Sequence, residues 1–158
     1  MNIEVWSLGK ENDAYIEKGI QFYLNRLRPF CKTGFVLLPP PKRSANTTPE
    51  ESKLLEEKII LSRFDDTKHV LVLLDETGKM LTSEGWAGEI EKLQNSRAKT
   101  VVFLIGGPWG VSDKIKQMAQ KNWSLSKLTF PHQLVRLIIA EQLYRSFSIL
   151  NNSGYHHR

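Results

Sequence analysis

Cysteine is almost absent from this sequence: Cys31 is the single thiol in 158 residues. One thiol excludes an internal disulfide and any cysteine-rich zinc site. Cys31 itself reads as a buried small hydrophobe. No apolar run approaches the roughly 20 residues that span a bilayer. The opening Met1-Asn2-Ile3-Glu4-Val5-Trp6 has neither the basic nor the apolar stretch of a secretion signal, so a cytoplasmic location is expected. Internal repeats, low-complexity tracts and linker-like stretches are also missing. Residues 1–158 are therefore expected to form one domain.

What is present is a soluble, basic composition. Hydrophobic residues make up 41% and charged residues 25% of the chain, and the formal net charge is +5. A basic surface favours polyanions, of which RNA is the commonest. Strand-like and helix-like segments alternate. Residues 2–8 read as a strand ending at Gly9. Residues 13–28 read as a helix capped by Asp13, with an apolar stripe through Tyr15, Ile16, Gly19, Ile20, Tyr23, Leu24 and Leu27, stopped by Pro29. Phe35 to Leu38 is a short strand, and a proline-bounded loop reaches Pro49. Residues 50–63 read as helical. His69 to Leu74 and Thr100 to Ile105 are continuous apolar runs, as strands covered on both faces should be. Ser83 is expected to cap a helix to about Gln94, and another helix should start near Ser112. Ser124 to Phe130 reads as a short strand or loop, and Pro131 opens a final helix to about Leu150. This alternation predicts an α/β fold with a parallel sheet flanked by helices.

The chemistry-bearing segments stand at strand ends. Ile105-Gly106-Gly107-Pro108-Trp109-Gly110 places three glycines after a covered strand. Such a run suits either a tight strand-to-helix turn or a close-lying ligand at the carboxyl edge of the sheet. Its spacing is neither the dinucleotide fingerprint nor the P-loop. No acid follows about 20 residues on, where a ribose hydroxyl would need one; Lys127 stands there. Asp75 and Glu76 form either a solvated turn or a catalytic or metal-binding pair. Ser124 to His132 fits a structural strand, or a wall of backbone groups around an adenine. His132 reads as a structural helix-start residue or a general base. Arg136 reads as a partner for an RNA phosphate or as surface charge.

The last helix is apolar on most sides, which predicts burial on most sides and, in so small a chain, a homodimer. Glu141 and Arg145 are spaced for an ion pair. The tail Tyr155-His156-His157-Arg158 is either a frayed terminus or an RNA-contacting group of aromatic, imidazole and guanidinium.

Three runs taken together carry a resemblance. They are Leu104-Ile105-Gly106-Gly107-Pro108-x-Gly110, then Trp123-Ser124-Leu125-Ser126-x-Leu128-Thr129-Phe130-Pro131-His132, then Leu134-Val135-Arg136 through Glu141-Gln142-Leu143-Tyr144-Arg145 to Tyr155-His156. With Trp6 to Lys10 and Leu74 to Lys79 they closely resemble the RlmH family of ribosomal RNA large-subunit methyltransferases. The resemblance implies the SPOUT fold, with a C-terminal trefoil knot. It also implies S-adenosylmethionine as cofactor, pairing of two subunits across the cofactor, and no metal. The implied substrate is N3 of a pseudouridine in large-subunit ribosomal RNA on assembled ribosomes. Carried over residue by residue, the cofactor wall comprises Leu74, Gly106, Gly107, Leu125, Ser126, Lys127, Leu128, Thr129 and Phe130. The Pro39–Pro49 loop departs most from the family and receives no role.

N3 of pseudouridine is an imide nitrogen that must lose its proton to attack a methyl. A base, or a cation stabilising the anion, assists that step. His132, Arg136, Tyr155 and His156 are the candidates. Competing functions are a non-catalytic RNA-binding or assembly factor, a nicotinamide enzyme, and a related enzyme acting on transfer RNA or a ribose hydroxyl.

Overall fold

The computed structural model describes residues 1–157, so the expectation placed on Arg158 lies outside the described residues. Five strands, β1 (Asn2–Leu8), β2 (Thr33–Leu38), β3 (His69–Met80), β4 (Thr100–Ile105) and β5 (Lys121–Ser124), form one parallel sheet in the order β2-β1-β4-β3-β5. The helices are α1 (Ala14–Leu27), α2 (Pro49–Arg63), α3 (Ser83–Gln94), α4 (Asp113–Met118) and α5 (His132–Leu150).

Period-two alternation sends β4 side chains to two cores. Val101, Phe103 and Ile105 meet Trp86 and Ile90 of α3 and Ile139, Leu143 and Phe147 of α5. Val102 and Leu104 meet Ile60 of α2 and Ile115 of α4. The sheet is therefore covered on both faces, with α1, α3 and α5 on one side and α2 and α4 on the other. Cys31 is buried in the first core. No helix among the described residues is long and apolar enough to cross a membrane.

Local chemistry sets the helix starts. Thr48 and Glu51 form a capping box ahead of Pro49. Thr82, one residue earlier than expected, caps α3 by accepting from the Gly85 amide at 3.0 Å, while Ser83 donates to Gln142. Asp13 holds the N-cap position of α1 without a side-chain cap; its amide donates to Gln133 instead, at 2.7 Å. The fifth strand lies at 121–124, ahead of the segment read as strand or loop, and 125–131 is irregular chain. β3 runs beyond Leu74 with a break in register, Trp123 pairing with both Leu74 and Lys79. Residues 75–78 bulge from the ladder there. Gly78 permits the return, because a Cβ on it would lie 2.6 Å from the Trp123 carbonyl carbon.

Candidate active site

A cavity of about 480 Å³ opens at the carboxyl ends of β3, β4 and β5. That falls within the roughly 300–1,000 Å³ of small-molecule sites. Three chain segments wall it: Leu73 to Thr77, Ile105 to Val111, and Ser124 to Phe130. His132 and Val135, from the first turn of α5, close a fourth side. The sheet edge explains the place: neighbouring parallel strands deliver their loops to the same end.

Leu74, Gly106, Gly107, Leu125, Ser126, Leu128, Thr129 and Phe130 all line this cavity. Lys127 does not, and is exposed. Ser126 Oγ accepts from the Leu128 amide at 3.0 Å, and Ser124 Oγ donates to the Ser126 carbonyl at 3.1 Å. These bonds shape the segment and turn the lysine outward.

The glycines are explained by protein neighbours. A Cβ on Gly106 would meet Val111 Cγ1 at 2.8 Å, and one on Gly107 would collide with the Glu56 carboxylate. Gly110 has φ +81°, a left-handed conformation that glycine adopts without strain. Its amide donates to the Gly107 carbonyl at 3.1 Å, closing a turn with Trp109 exposed at the tip.

The cavity has one polar corner. Asp75 Oδ2 accepts from the Thr77 hydroxyl at 2.8 Å, and Lys116 Nζ stands 3.9 Å from the same oxygen. Glu76 lies at the exposed rim. No cluster of three or more metal-ligating side chains occurs among the described residues. Lys116, Trp109 and Val135 join the wall without having been singled out. Trp109 was legible inside the glycine run, whereas Lys116 and Val135 come from helix faces that periodicity alone does not orient.

The four candidate proton-handling residues separate. His132 is half-buried at the cavity, and no hydrogen-bond partner for its ring occurs among the described residues. Burial, and then the nearby Arg136 charge, hold its imidazole below the usual histidine range. Arg136 corrects the sequence reading, being neither surface charge nor free for a phosphate. It is 2% exposed. Its Nε donates to Ser7 Oγ at 2.8 Å, and its Nη1 donates to the Lys10 carbonyl at 2.9 Å and Asn12 Oδ1 at 2.8 Å. It ties α5 to the β1–α1 connection.

Tyr155 and His156 lie away from the cavity and are not frayed. The Tyr155 ring packs on Tyr144, centroids 4.7 Å apart, beneath the Arg145 guanidinium. Its hydroxyl donates to Glu141 at 3.2 Å. Burial, the Tyr23 hydroxyl and the Glu141 charge push that phenol well above its ordinary range, so it stays protonated. His156 bridges Arg145 and Glu84, its Nε2 standing 3.1 Å from Glu84 Oε1. The expected Glu141–Arg145 pair is present, with Nε donating at 2.9 Å.

Known proteins resemble the chain over its whole length. A family described as "Predicted SPOUT methyltransferase" matches residues 1–156. The "Ribosomal RNA large subunit methyltransferase H" of Christiangramia forsetii is 41% identical over 158 residues, all of both chains. The protein of the same name from Flavobacterium johnsoniae is 42% identical over the same span. That from Bacillus pumilus is 38% identical over 159 aligned positions, 99% of each chain. The chain is therefore a member of the SPOUT methyltransferase family.

Proposed function

We propose that the chain transfers a methyl group from S-adenosylmethionine to N3 of a pseudouridine in 23S large-subunit ribosomal RNA, acting in the cytoplasm on assembled ribosomes. The observation that carries this reading is the cavity at the ends of β3, β4 and β5, in a chain whose relatives bear a ribosomal RNA methyltransferase name. The residues present fit the cofactor. Leu74, Ile105, Leu125 and Phe130 offer apolar surface for a purine, and the Asp75–Lys116 corner offers both charges for a ribose or a zwitterionic amino acid.

When bound, S-adenosylmethionine supplies an electrophilic methyl on a sulfonium and leaves as a neutral thioether. The protein's part is alignment, exclusion of water and removal of one proton. His132 is the residue assigned to that proton. Its imidazole is neutral near pH 7, and it borders the space where the base must enter. The N3 proton passes to the imidazole as the N3–methyl bond forms.

Two copies are assigned to the working enzyme. Tyr15 and Phe22 of α1 and Leu134 of α5 remain exposed on one side of the molecule. Pairing there would cover apolar surface and bring one copy's Tyr155 and His156 toward its partner's cavity, where they contact RNA. Sedimentation at micromolar concentration should give about twice the 18.2 kDa of one chain. A monomer sinks this arrangement.

Calorimetry with S-adenosylmethionine, S-adenosylhomocysteine and NAD tests the cofactor. The first two should bind and NAD should not. Mapping the methyl on treated ribosomes tests the substrate. Methyl on transfer RNA or on a ribose hydroxyl would redirect the reading, and failure to bind either sulfur ligand would overturn it.

A further inference from the structure

A buried carboxylate lies just outside the cavity and has no part in the chemistry above. α2 is a charged helix, yet Ser52, Glu56 and Ile60, spaced one turn apart, are buried. Glu56 is 2% exposed. Its carboxylate reaches the turn between β4 and α4, lying where a Cβ on Gly107 would stand, and the Gly107 amide beside it favours its charged form. Its other partner is Arg43, from the loop joining β2 to α2. The Arg43 side chain is 31% exposed, so the cation comes in from the surface to close the carboxylate off.

A buried charge is costly unless it is paired, and an apolar residue in a helix stripe is commonly as good for stability. Burial does push the Glu56 carboxyl up, and the Arg43 charge and the Gly107 amide only partly offset it. The carboxylate is nonetheless held against one of the three glycines that line the cavity.

We propose that Glu56 is a positioning residue for the methyl-donor site. It clamps the Gly106–Gly110 turn through Gly107, and Arg43 locks the clamp by fastening the β2–α2 loop onto it. This rests on the cavity being the methyl-donor site. It gives the proline-bounded loop a task, and it gives Gly107 a reason to be glycine. Neither Arg43 nor Glu56 lines the cavity, so both act only through the turn.

Trp109 provides a readout that needs no ligand. It is 56% exposed at the tip of the clamped turn, whereas Trp6, Trp86 and Trp123 are at most 2% exposed. Acrylamide quenching of intrinsic fluorescence therefore follows Trp109 over a nearly constant background. Glu56→Gln keeps the shape and an oxygen for the Gly107 amide but loses the charge that Arg43 meets. Arg43→Met alters only a loop residue. Both folded variants should show stronger Trp109 quenching. Affinity for S-adenosylhomocysteine should fall about tenfold, the loss expected for one charge-assisted contact. KM for S-adenosylmethionine should rise while kcat changes about twofold or less. The double variant should be no worse than Glu56→Gln, because the two residues act as one unit.

Unchanged affinity in the folded variants overturns the proposal, whether or not quenching changes. A change in quenching alone would leave the pair as a contact of the fold only. If Glu56→Gln fails to fold, Arg43→Met decides. If the wild-type protein binds neither sulfur ligand, the reading of the cavity fails; the quenching arm still separates a clamped turn from a free one.

Discussion

The two flanks of the cavity are finished to different degrees. On the α2–α4 flank the polar groups that shape the wall find partners within the chain. Glu56 meets Arg43 and Gly107, Asp75 meets Thr77 and Lys116, and Ser112 caps α4. On the α1–α5 flank polar groups are paired as well, Arg136 with Ser7 and Tyr155 with Glu141, but aromatic surface is left over. Tyr15 and Phe22 are exposed, and the tail that would serve RNA lies on its own helices, away from the cavity. One flank builds a ligand site in a single copy. The other has the features of a surface that a second copy or a substrate completes. The cofactor should therefore bind with little help from the α1–α5 flank, while transfer to RNA should depend on it.

The largest effect expected is on chemistry at the border between the flanks. His132→Ala should lower kcat by about 10²–10⁴, the range for a lost general base, with cofactor affinity changed about threefold or less. In the wild type the acid limb of the kcat–pH profile should fall below the usual imidazole value of 6.5, since burial and Arg136 lower this group. The sign for stability follows. A histidine with a depressed folded pKa is out-protonated by the unfolded chain, so stability declines as pH drops through 6.5 toward the folded value. A variant retaining full rate and an unmoved acid limb would shift the proton to another group.

Gly78→Ala is the largest expected loss of stability. Its Cβ would meet backbone atoms of Trp123 at 2.6 and 2.7 Å, and backbone cannot swing aside as a side chain can. Urea denaturation should show a loss of about 2–4 kcal/mol, in the upper range for point changes. Cofactor binding should fall with it, because β3 and β5 both feed the cavity. Gly106→Val should collide first with Val111 rather than with a ligand, so lost binding would reflect a displaced turn.

These contrasts also mark what the sequence discloses. The apolar runs His69 to Leu74 and Thr100 to Ile105 locate two central strands, because a strand covered on both faces has no polar interruption. The glycine run and the 124–130 segment locate the cavity, because parallel strands bring their loops to one edge. β5 escapes notice because Lys121–Ser124 is four residues long and polar at all but Trp123. Arg136 is misplaced because α5 is buried on several sides, and charge on such a helix gives no hint of an inward partner. Glu56 is missed for the opposite reason, since α2 reads as a solvated charged helix. The i, i+4 spacing of Ser52, Glu56 and Ile60 marks its inner stripe only once the sheet is in place.

Deleting residues 155–158 tests the unfinished flank with a smaller effect. A frayed terminus would leave stability unchanged. The packing of Tyr155 on Tyr144 and Arg145, and the His156–Glu84 contact, predict instead a loss of about 1–2 kcal/mol, typical of removing one packed aromatic and its polar contacts. Affinity for S-adenosylhomocysteine should stay within about twofold, since the tail does not line the cavity. Methyl transfer to ribosomes should fall well beyond what the stability loss explains. Full activity in the truncated enzyme would make both flanks equivalent and the tail a structural clasp.

Tyr155→Phe separates the ring from its hydroxyl and should have the smallest effect. The ring keeps its place on Tyr144 and under Arg145, so stacking on its own helix or on an RNA base is preserved. What disappears is the 3.2 Å bond to Glu141, a carboxylate that Arg145 still engages at 2.9 Å. Losing one half-exposed hydrogen bond whose acceptor keeps another partner should cost about 0.5–1 kcal/mol in urea denaturation. Because the surroundings of this phenol hold it protonated, it is a poor base in this position. Transfer to ribosomes should therefore remain within about twofold of wild type, as the proposed stacking of the ring on an RNA base requires. A drop of about a hundredfold would mean that the hydroxyl handles a proton after leaving Glu141. His132 would then lose its assignment, and the α1–α5 flank would carry chemistry as well as recognition.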